Sequence, residues 1–248
     1  MAKQRKMTQR EKNRQARELE HQVGILNQKF SMRKIRPLTA TQGDMFDSYS
    51  QGYNLAAIGT AGTGKTMCAM YLALNDVLNK EGYEKVIVIR SAVQTREQGF
   101  MPGSKAQKEA VFEAPYQDIV SDLFGRGDAY QILKQKQMMQ FMTSSFVRGL
   151  TFDNAIIIVD ECQSMTYHEL DTIITRVGES SKIIFCGDTK QNDLEISRNR
   201  ADISGLADFL RVLRRVESFD TVKFQPQDIV RSGLVKEYIM AKENLVAA

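Results

Sequence analysis

The sequence contains one octapeptide whose glycines, lysine and threonine have the spacing of a phosphate-binding loop. Its residues are Gly59, Thr60, Ala61, Gly62, Thr63, Gly64, Lys65 and Thr66. Glycines let backbone N–H groups and a helix N-terminus face phosphate oxygens, Lys65 reaches the β and γ oxygens, and Thr66 offers a hydroxyl to Mg2+. An apolar run at 55–58 and a helix-like stretch flank the octapeptide, which disfavours the alternative of a glycine-rich turn beside a lysine. The octapeptide predicts binding of a nucleoside triphosphate.

Two adjacent carboxylates follow a second apolar run at 156–159. At the end of a buried strand, Asp160 is the predicted metal-side ligand and Glu161 the predicted general base that polarises the attacking water. Phosphoryl transfer depends mainly on positioning and on charge neutralisation, and a cation that bridges the β- and γ-phosphates provides much of the latter. A surface Asp-Glu pair at a strand end is the alternative interpretation.

A third polar cluster follows the apolar run at 183–185. It contains Asp188 and, three residues later, Gln191, whose amide we expect to contact the γ-phosphate or the attacking water. An amide in that position would report whether the third phosphate is present, which couples a nucleotide to a conformational change.

These chemical groups require a scaffold that brings strand ends together. Runs rich in β-branched residues predict strands at 55–58, 86–89, 155–159, 183–185 and 221–224, separated by helical stretches around 66–80, 105–124, 129–142, 167–177, 202–215 and 228–243. Alternating strands and helices predict a parallel sheet, and continuously apolar strands predict helices on both of its faces. We therefore expect a three-layer α/β domain with ligands at the carboxyl ends of the strands.

Composition predicts one large domain preceded by a basic arm. Residues 1–36 hold eleven Lys and Arg against three Glu, a balance of +8, whereas the rest has a balance of −4. We expect an arm at 1–36 and a nucleotide-binding domain at 37–248. The arm either makes sequence-independent contacts to nucleic-acid phosphates or is a solvated tail.

The sequence shows neither an apolar run of about 18 residues nor an apolar signal core, so we expect a cytoplasmic protein without membrane association. Its three cysteines are far apart, and they predict neither a disulfide framework nor structural zinc.

Several further segments, in the same order and spacing, resemble the PhoH family, the phosphate-starvation-inducible P-loop ATPases. The segments that carry the resemblance are 59–66, 160–164, 175–178, 181–182, 187–194, 204–206 and 228–231, together with the upstream segments 90–91, 97–103, 115–116 and 148–149. The resemblance covers roughly residues 37 to 243. Cys162 stands where Ala is usual, Ser164 where Asn is usual, and Ser91 where Pro is common after Arg. A divergent, phage-encoded member is one interpretation of these departures.

The family is related to superfamily 1 helicases, and the resemblance implies a RecA-like P-loop NTPase fold and an ATPase that uses ATP and Mg2+. It permits action on single-stranded RNA or DNA. Gln42 looks like the glutamine ahead of the phosphate loop that recognises adenine in those helicases.

Such helicases place ATP between two RecA-like domains, whereas this chain has room for one. A neighbouring subunit would complete the site, so we expect a homo-oligomer, such as a hexameric ring, with an arginine supplied in trans. Arg231 and Arg176 match family positions and are the first and second candidates, and Arg148 is the third. An ion-paired or surface arginine is the alternative for each.

The leading hypothesis is Mg2+-dependent ATP hydrolysis coupled to RNA or single-stranded nucleic acid. The alternatives are an oligomeric RNA or DNA helicase, a nucleotide-gated binding module with negligible turnover, and a kinase acting on a small acceptor. Glu161 argues against the binding module, because a water-polarising acid has no purpose without hydrolysis.

Overall fold

The protein is described by a computed structural model. Its backbone is described at residues 31–91, 105–188 and 205–247, and its side chains at residues 31–91, 110–188 and 205–241. Its strands are β1 (Asn54–Gly59), β2 (Lys85–Arg90), β3 (Met139–Thr143), β4 (Ala155–Asp160), β5 (Lys182–Gly187) and β6 (Phe219–Phe224). Its helices are α1 (Ala40–Ser50), α2 (Lys65–Asn79), α3 (Lys105–Phe124), α4 (Ala129–Gln135), α5 (Tyr167–Ile174), α6 (Leu206–Leu213) and α7 (Gly233–Ala247). Short 3-10 turns occupy Ser144–Phe146, Cys162–Ser164 and Pro226–Asp228.

The strands form one sheet in the order β3-β2-β4-β5-β1-β6, and every neighbouring pair is parallel. The carboxyl ends of all six strands therefore lie at the same edge. Register places Ile58 opposite Gly187 and Arg90 opposite Asp160, so the loops that follow β1, β4 and β5 emerge side by side. This edge gathers the predicted phosphate loop and both predicted acidic strand ends.

Both faces of the sheet are covered, as the unbroken apolar strands predict. Alternate strand residues, such as Ile156 and Ile158, pack with α1, α2, α3 and α4 in one buried cluster. Their neighbours Ile157 and Val159 pack with α5 and α6 in a second buried cluster on the other face. The predicted fold class, a three-layer α/β domain with a parallel sheet covered by helices on both faces, is confirmed.

The five predicted strands are present, but the sheet has a sixth that the sequence did not indicate. The predicted helix at 129–142 ends at Gln135, Gln137 adopts a left-handed φ of 58°, and β3 begins at Met139. Met and Gln favour helices, and β3 lacks the Val and Ile that are frequent in the neighbouring strands β2 and β4. Its pairing with β2 at the sheet edge overrides that local preference.

The segment just before the domain packs against it. Met32 and Ile35 are partly buried against the first cluster, and the Arg33 N–H donates to the Leu123 carbonyl at 3.0 Å. Residues 1–30 lie outside the described part, so the boundary between an arm at 1–36 and a domain at 37–248 stays a prediction. Among the helices that the structure describes, none is long and apolar enough to cross a membrane.

Candidate nucleotide-binding site

The octapeptide 59–66 forms the turn between β1 and α2. Gly59 has a φ of 137°, and a Cβ there would overlap the backbone carbonyl of Phe224. Gly64 has a φ of 82°, and a Cβ there would lie 2.9 Å from the Gln42 side-chain amide nitrogen. Only glycine fits both the backbone conformation and the space at these positions. The loop therefore delivers the N-terminus of the 15-residue helix α2 to the carboxyl edge of the sheet, where it favours anions.

Lys65, the first residue of α2, folds back over this loop. Its Nζ donates to the carbonyl oxygens of Gly59 and Thr60 at 2.8 Å each. Burial lowers the pKa of Lys65, while the charge of Asp188 is the largest influence in the opposite direction. The ammonium thus lies at the loop and close to the end of β5, where it can bind phosphate oxygens.

Asp160 ends β4 and has both carboxylate oxygens in hydrogen bonds. Thr66 Oγ1 donates to Oδ1 at 2.8 Å, and the Tyr116 hydroxyl donates to Oδ2 at 2.9 Å. The structure thus brings together the two residues that the sequence assigns to Mg2+. Hydroxyl and carboxylate oxygens at the N-terminus of a helix suit Mg2+, which binds few protein carboxylates together with water and substrate phosphates. The donor set fits this ion.

Glu161 lies beside Asp160 and is oriented by a buried amide. Gln163, 3% exposed, donates from Nε2 to Glu161 Oε2 at 2.5 Å and accepts from the Asp188 N–H at 2.9 Å. A backbone N–H can only donate, so this contact fixes which end of the Gln163 amide faces Glu161. Burial raises the pKa of Glu161, the charge of Asp160 adds to that shift, and the Gln163 hydrogen bond opposes it.

Gln42 lies beneath the loop on α1. Its Nε2 donates to the Thr63 carbonyl at 2.9 Å, and its Oε1 accepts from the Leu38 N–H at 2.7 Å. The buried amide thus joins α1 to the phosphate loop. Each end of the amide keeps further hydrogen-bonding capacity, and adenine recognition by Gln42 stays a proposal.

The turn after β6 packs onto the same loop. Buried Asp228 accepts from Thr41 Oγ1 at 2.9 Å and from the Gln225 N–H at 2.8 Å. The Val230 N–H donates to the Gly62 carbonyl at 3.0 Å. A Cβ built on Gly62 would lie 2.9 Å from Arg231 Cγ. Arg231 therefore lies against the phosphate loop of its own chain.

The other two candidate arginines lie elsewhere. The Arg176 carbonyl accepts from the Phe152 N–H at 2.9 Å, before β4 begins, and the six residues of β4 span about 20 Å at about 3.3 Å each. Arg176 is therefore at the opposite edge of the sheet from Asp160. Arg148 is exposed at the carboxyl edge and contacts His168 at 3.0 Å. Gln191 lies outside the described residues.

Three residues of the site were not assigned a role from the sequence. Gln163 stands only two positions after Glu161, and this short separation could have indicated a contact between their side chains. Tyr116 is 44 residues from Asp160 and reaches it from α3. Asp228 is 187 residues from Thr41. No local pattern points to either of these long-range contacts.

Comparisons with known proteins identify the family to which this chain belongs. The family model described as PhoH-like protein matches residues 34–243. A PhoH-like protein of Bacillus subtilis (strain 168) is 31% identical over 210 residues, which cover 84% of this chain and 64% of that protein. Protein PhoH of Escherichia coli (strain K12) is 33% identical over 187 residues, which cover 75% and 51%. The chain spans between about half and two thirds of the length of these relatives.

Two solved structures match this chain at low similarity. A SWI2/SNF2 ATPase core of Sulfolobus solfataricus in complex with dsDNA has a TM-score of 0.45 at 10% identity and covers 79% of this chain and 46% of that one. A Pif1 helicase of Candida albicans has a TM-score of 0.34 at 15% identity, with coverages of 78% and 42%. Neither likeness bears on activity. The family match over residues 34–243 and the assembled phosphate loop lead to one conclusion: this chain is a P-loop nucleotide-binding protein that belongs to the PhoH-like protein family.

Proposed function

We propose that this protein hydrolyses ATP in a Mg2+-dependent reaction at the carboxyl edge of the sheet. The observation that carries the proposal is the arrangement of Glu161. Its carboxylate accepts a hydrogen bond from the buried Gln163 amide, and burial raises its pKa. Glu161 also directly follows Asp160, the residue that contacts Thr66. A switch that binds nucleotide without hydrolysing it would not need a carboxylate oriented in this way.

The proposed roles of the residues follow from their positions. The backbone N–H groups of residues 59–66 and the Lys65 ammonium bind the β- and γ-phosphates. Thr66 and Asp160 would hold Mg2+, which supplies charge neutralisation at the phosphates when bound. Glu161 accepts a hydrogen bond from the attacking water and directs it toward the γ-phosphorus. A raised pKa makes this carboxylate a stronger base than an exposed one.

The arginines divide between two proposed roles. Since Arg231 lies against its own phosphate loop, it would contact the γ-phosphate within the same chain. Arg176 is too far from its own loop to do so. In a head-to-tail homo-oligomer such as a hexameric ring, Arg176 of one subunit would serve the site of the next.

Coupling to single-stranded RNA or DNA forms the second part of the proposal. Its support is the charge balance of +8 over residues 1–36, which favours phosphate contacts. We also propose that Gln42 recognises adenine and that Gln191 senses the γ-phosphate.

Release of phosphate from ATP by the purified protein tests the proposal. We expect Mg2+-dependent turnover, and we expect Glu161→Gln to lower kcat by about a hundredfold or more while ATP still binds. Glu217→Gln, at an exposed glutamate outside the site, is the matched control and should leave turnover unchanged. Equal turnover in Glu161→Gln and the wild type would contradict the proposal. Turnover that single-stranded RNA and DNA leave unchanged would contradict the nucleic-acid coupling alone.

A further inference from the structure

A tyrosine of α3 to which the sequence assigned no role contacts the carboxylate assigned to Mg2+. Tyr116 belongs to α3, and its side chain is 0% exposed. Its hydroxyl donates to Asp160 Oδ2 at 2.9 Å, while Thr66 Oγ1 donates to Oδ1 at 2.8 Å. Two donors on opposite oxygens fix the plane of the carboxylate.

The surroundings of Tyr116 keep this contact in place. Its ring packs on Phe141 of β3 with centroids 5.7 Å apart, and it lies within the buried cluster on that face of the sheet. A tyrosine hydroxyl can donate one hydrogen bond, and here Asp160 accepts it.

We propose that Tyr116 is a positioning residue for the cation of the nucleotide complex: it orients Asp160 so that Oδ1 remains at Thr66, where Mg2+ would bind. This inference rests on the proposed site for Mg2+ and ATP, and it does not require hydrolysis. It also connects cation binding to α3, because the hydroxyl can reach Asp160 only while α3 is packed against β3. Removing a residue that orients a metal ligand by a hydrogen bond typically lowers metal affinity or activity by 10- to 100-fold.

Tyr116→Phe removes the hydroxyl and keeps the ring. Tyr130→Phe is the matched control, because Tyr130 is also buried and also donates to a carboxylate, Glu113 Oε1 at 2.7 Å, but away from the site. We would measure Mn2+ affinity by electron paramagnetic resonance in the presence of the β,γ-imido analogue of ATP. Binding of the analogue in EDTA shows separately whether the phosphate loop is folded.

We expect Tyr116→Phe to weaken Mn2+ binding by at least about tenfold, with analogue binding in EDTA unchanged and Tyr130→Phe like the wild type. In an Asp160→Asn background, Tyr116→Phe should have no further effect, because the residue that it positions is no longer a carboxylate. Equal Mn2+ affinity in Tyr116→Phe and the wild type would overturn the inference. Loss of analogue binding in EDTA, or an equal loss in both Tyr→Phe variants, would also overturn it by showing a merely structural role.

The same measurements separate this inference from the proposed activity. A wild type that binds Mn2+ with the analogue but never hydrolyses ATP defeats the ATPase proposal, and Tyr116 is then still decided by the Mn2+ affinities. A wild type that binds no Mn2+ with the analogue overturns the Tyr116 inference directly.

Discussion

Glu161 adopts a backbone conformation that residues other than glycine seldom adopt. Its φ is 51° and its ψ is 41°, in the left-handed region, immediately after the last residue of β4. This conformation turns the chain into the 3-10 turn Cys162–Ser164, and the turn brings Gln163 back onto the Glu161 carboxylate. Strained backbone of this kind costs about 1–3 kcal/mol and occurs frequently at functional sites.

Gln163 should therefore affect hydrolysis without contacting ATP. We expect Gln163→Leu to lower kcat by about tenfold or more, because Glu161 loses the donor that orients it, while the affinity for ATP changes little. Steady-state kinetics measure kcat and KM separately. Gln140→Leu, at an exposed glutamine on β3, is the control. A rise in KM with kcat unchanged would contradict this role for Gln163.

At the scale of residues, the sequence predicts best the groups that belong to recognisable motifs at strand and loop ends. Thr66 and Asp160 each stand at a recognisable strand or loop end, and their contact confirms that these ends meet. Tyr116 could not be predicted, because its contact with Asp160 depends on how α3 packs on the sheet. The sequence also could not show that Arg176 lies far from the phosphate loop of its own chain, since only the three-dimensional fold shows which edge of the sheet it occupies.

At the scale of elements, the end of β5 packs tightly against the turn that follows β4. A Cβ added to Gly187 would lie 2.5 Å from Cys162 Sγ and 3.1 Å from Gln163 Oε1. Real Cβ atoms essentially never approach a neighbour as closely as the first of these distances. The absence of a side chain at Gly187 thus lets the Asp188 N–H reach Gln163.

Gly187→Ala should destabilise the fold by about 1–3 kcal/mol, because the added methyl overpacks this junction. Cys162→Ala removes the nearer atom, so the double variant should recover part of the loss, with a coupling of about 0.5 kcal/mol or more. Chemical denaturation of the four proteins in the cycle measures both quantities.

Gly43→Ala is the control for the substitution type, because a Cβ at Gly43 meets nothing within 4 Å and the residue lies inside α1. It should be neutral or stabilising. If Gly187→Ala is as stable as Gly43→Ala, the two strand ends are not packed as described.

The elements that the sequence predicts well are those whose local pattern and tertiary environment agree. The inner strand β4 is buried along its whole length and is rich in Ile and Val. β3 pairs with a neighbour on only one side, and its composition permits a helix, so its identity depends on pairing with β2. The turn Pro226–Asp228 delays the start of the last helix to Gly233, because the Asp228 side chain caps that turn instead.

At the scale of the whole molecule, the two arginines separate what one chain does from what an oligomer would add. Arg231 lies beside Gly62 of its own loop, whereas Arg176 lies at the far edge of the sheet. In a closed ring of identical subunits, opposite surfaces of neighbouring chains meet. An arginine that is far from its own site can then be near the site of a neighbour.

Mixing inactive variants distinguishes these roles. Arg231→Ala mixed with Glu161→Gln should stay inactive if each damages a site formed by its own chain. Arg176→Ala mixed with Glu161→Gln should recover roughly a quarter of wild-type turnover, because randomly mixed rings pair an intact Glu161 with an intact Arg176 at that fraction of interfaces. Phosphate release after subunit exchange measures both. Recovery in the Arg231 mixture, or full activity of Arg176→Ala alone, would contradict the assignment.

The most direct test of the central claim is a single-turnover experiment with γ-labelled ATP, Mg2+ and protein in excess, which follows the fate of bound nucleotide independently of product release. We predict that the wild type converts bound ATP to ADP and phosphate, whereas Glu161→Gln binds ATP and returns it intact. Recovery of unchanged ATP from the wild type at every protein concentration, with and without single-stranded RNA or DNA, would contradict the account and identify a nucleotide-gated binding protein instead.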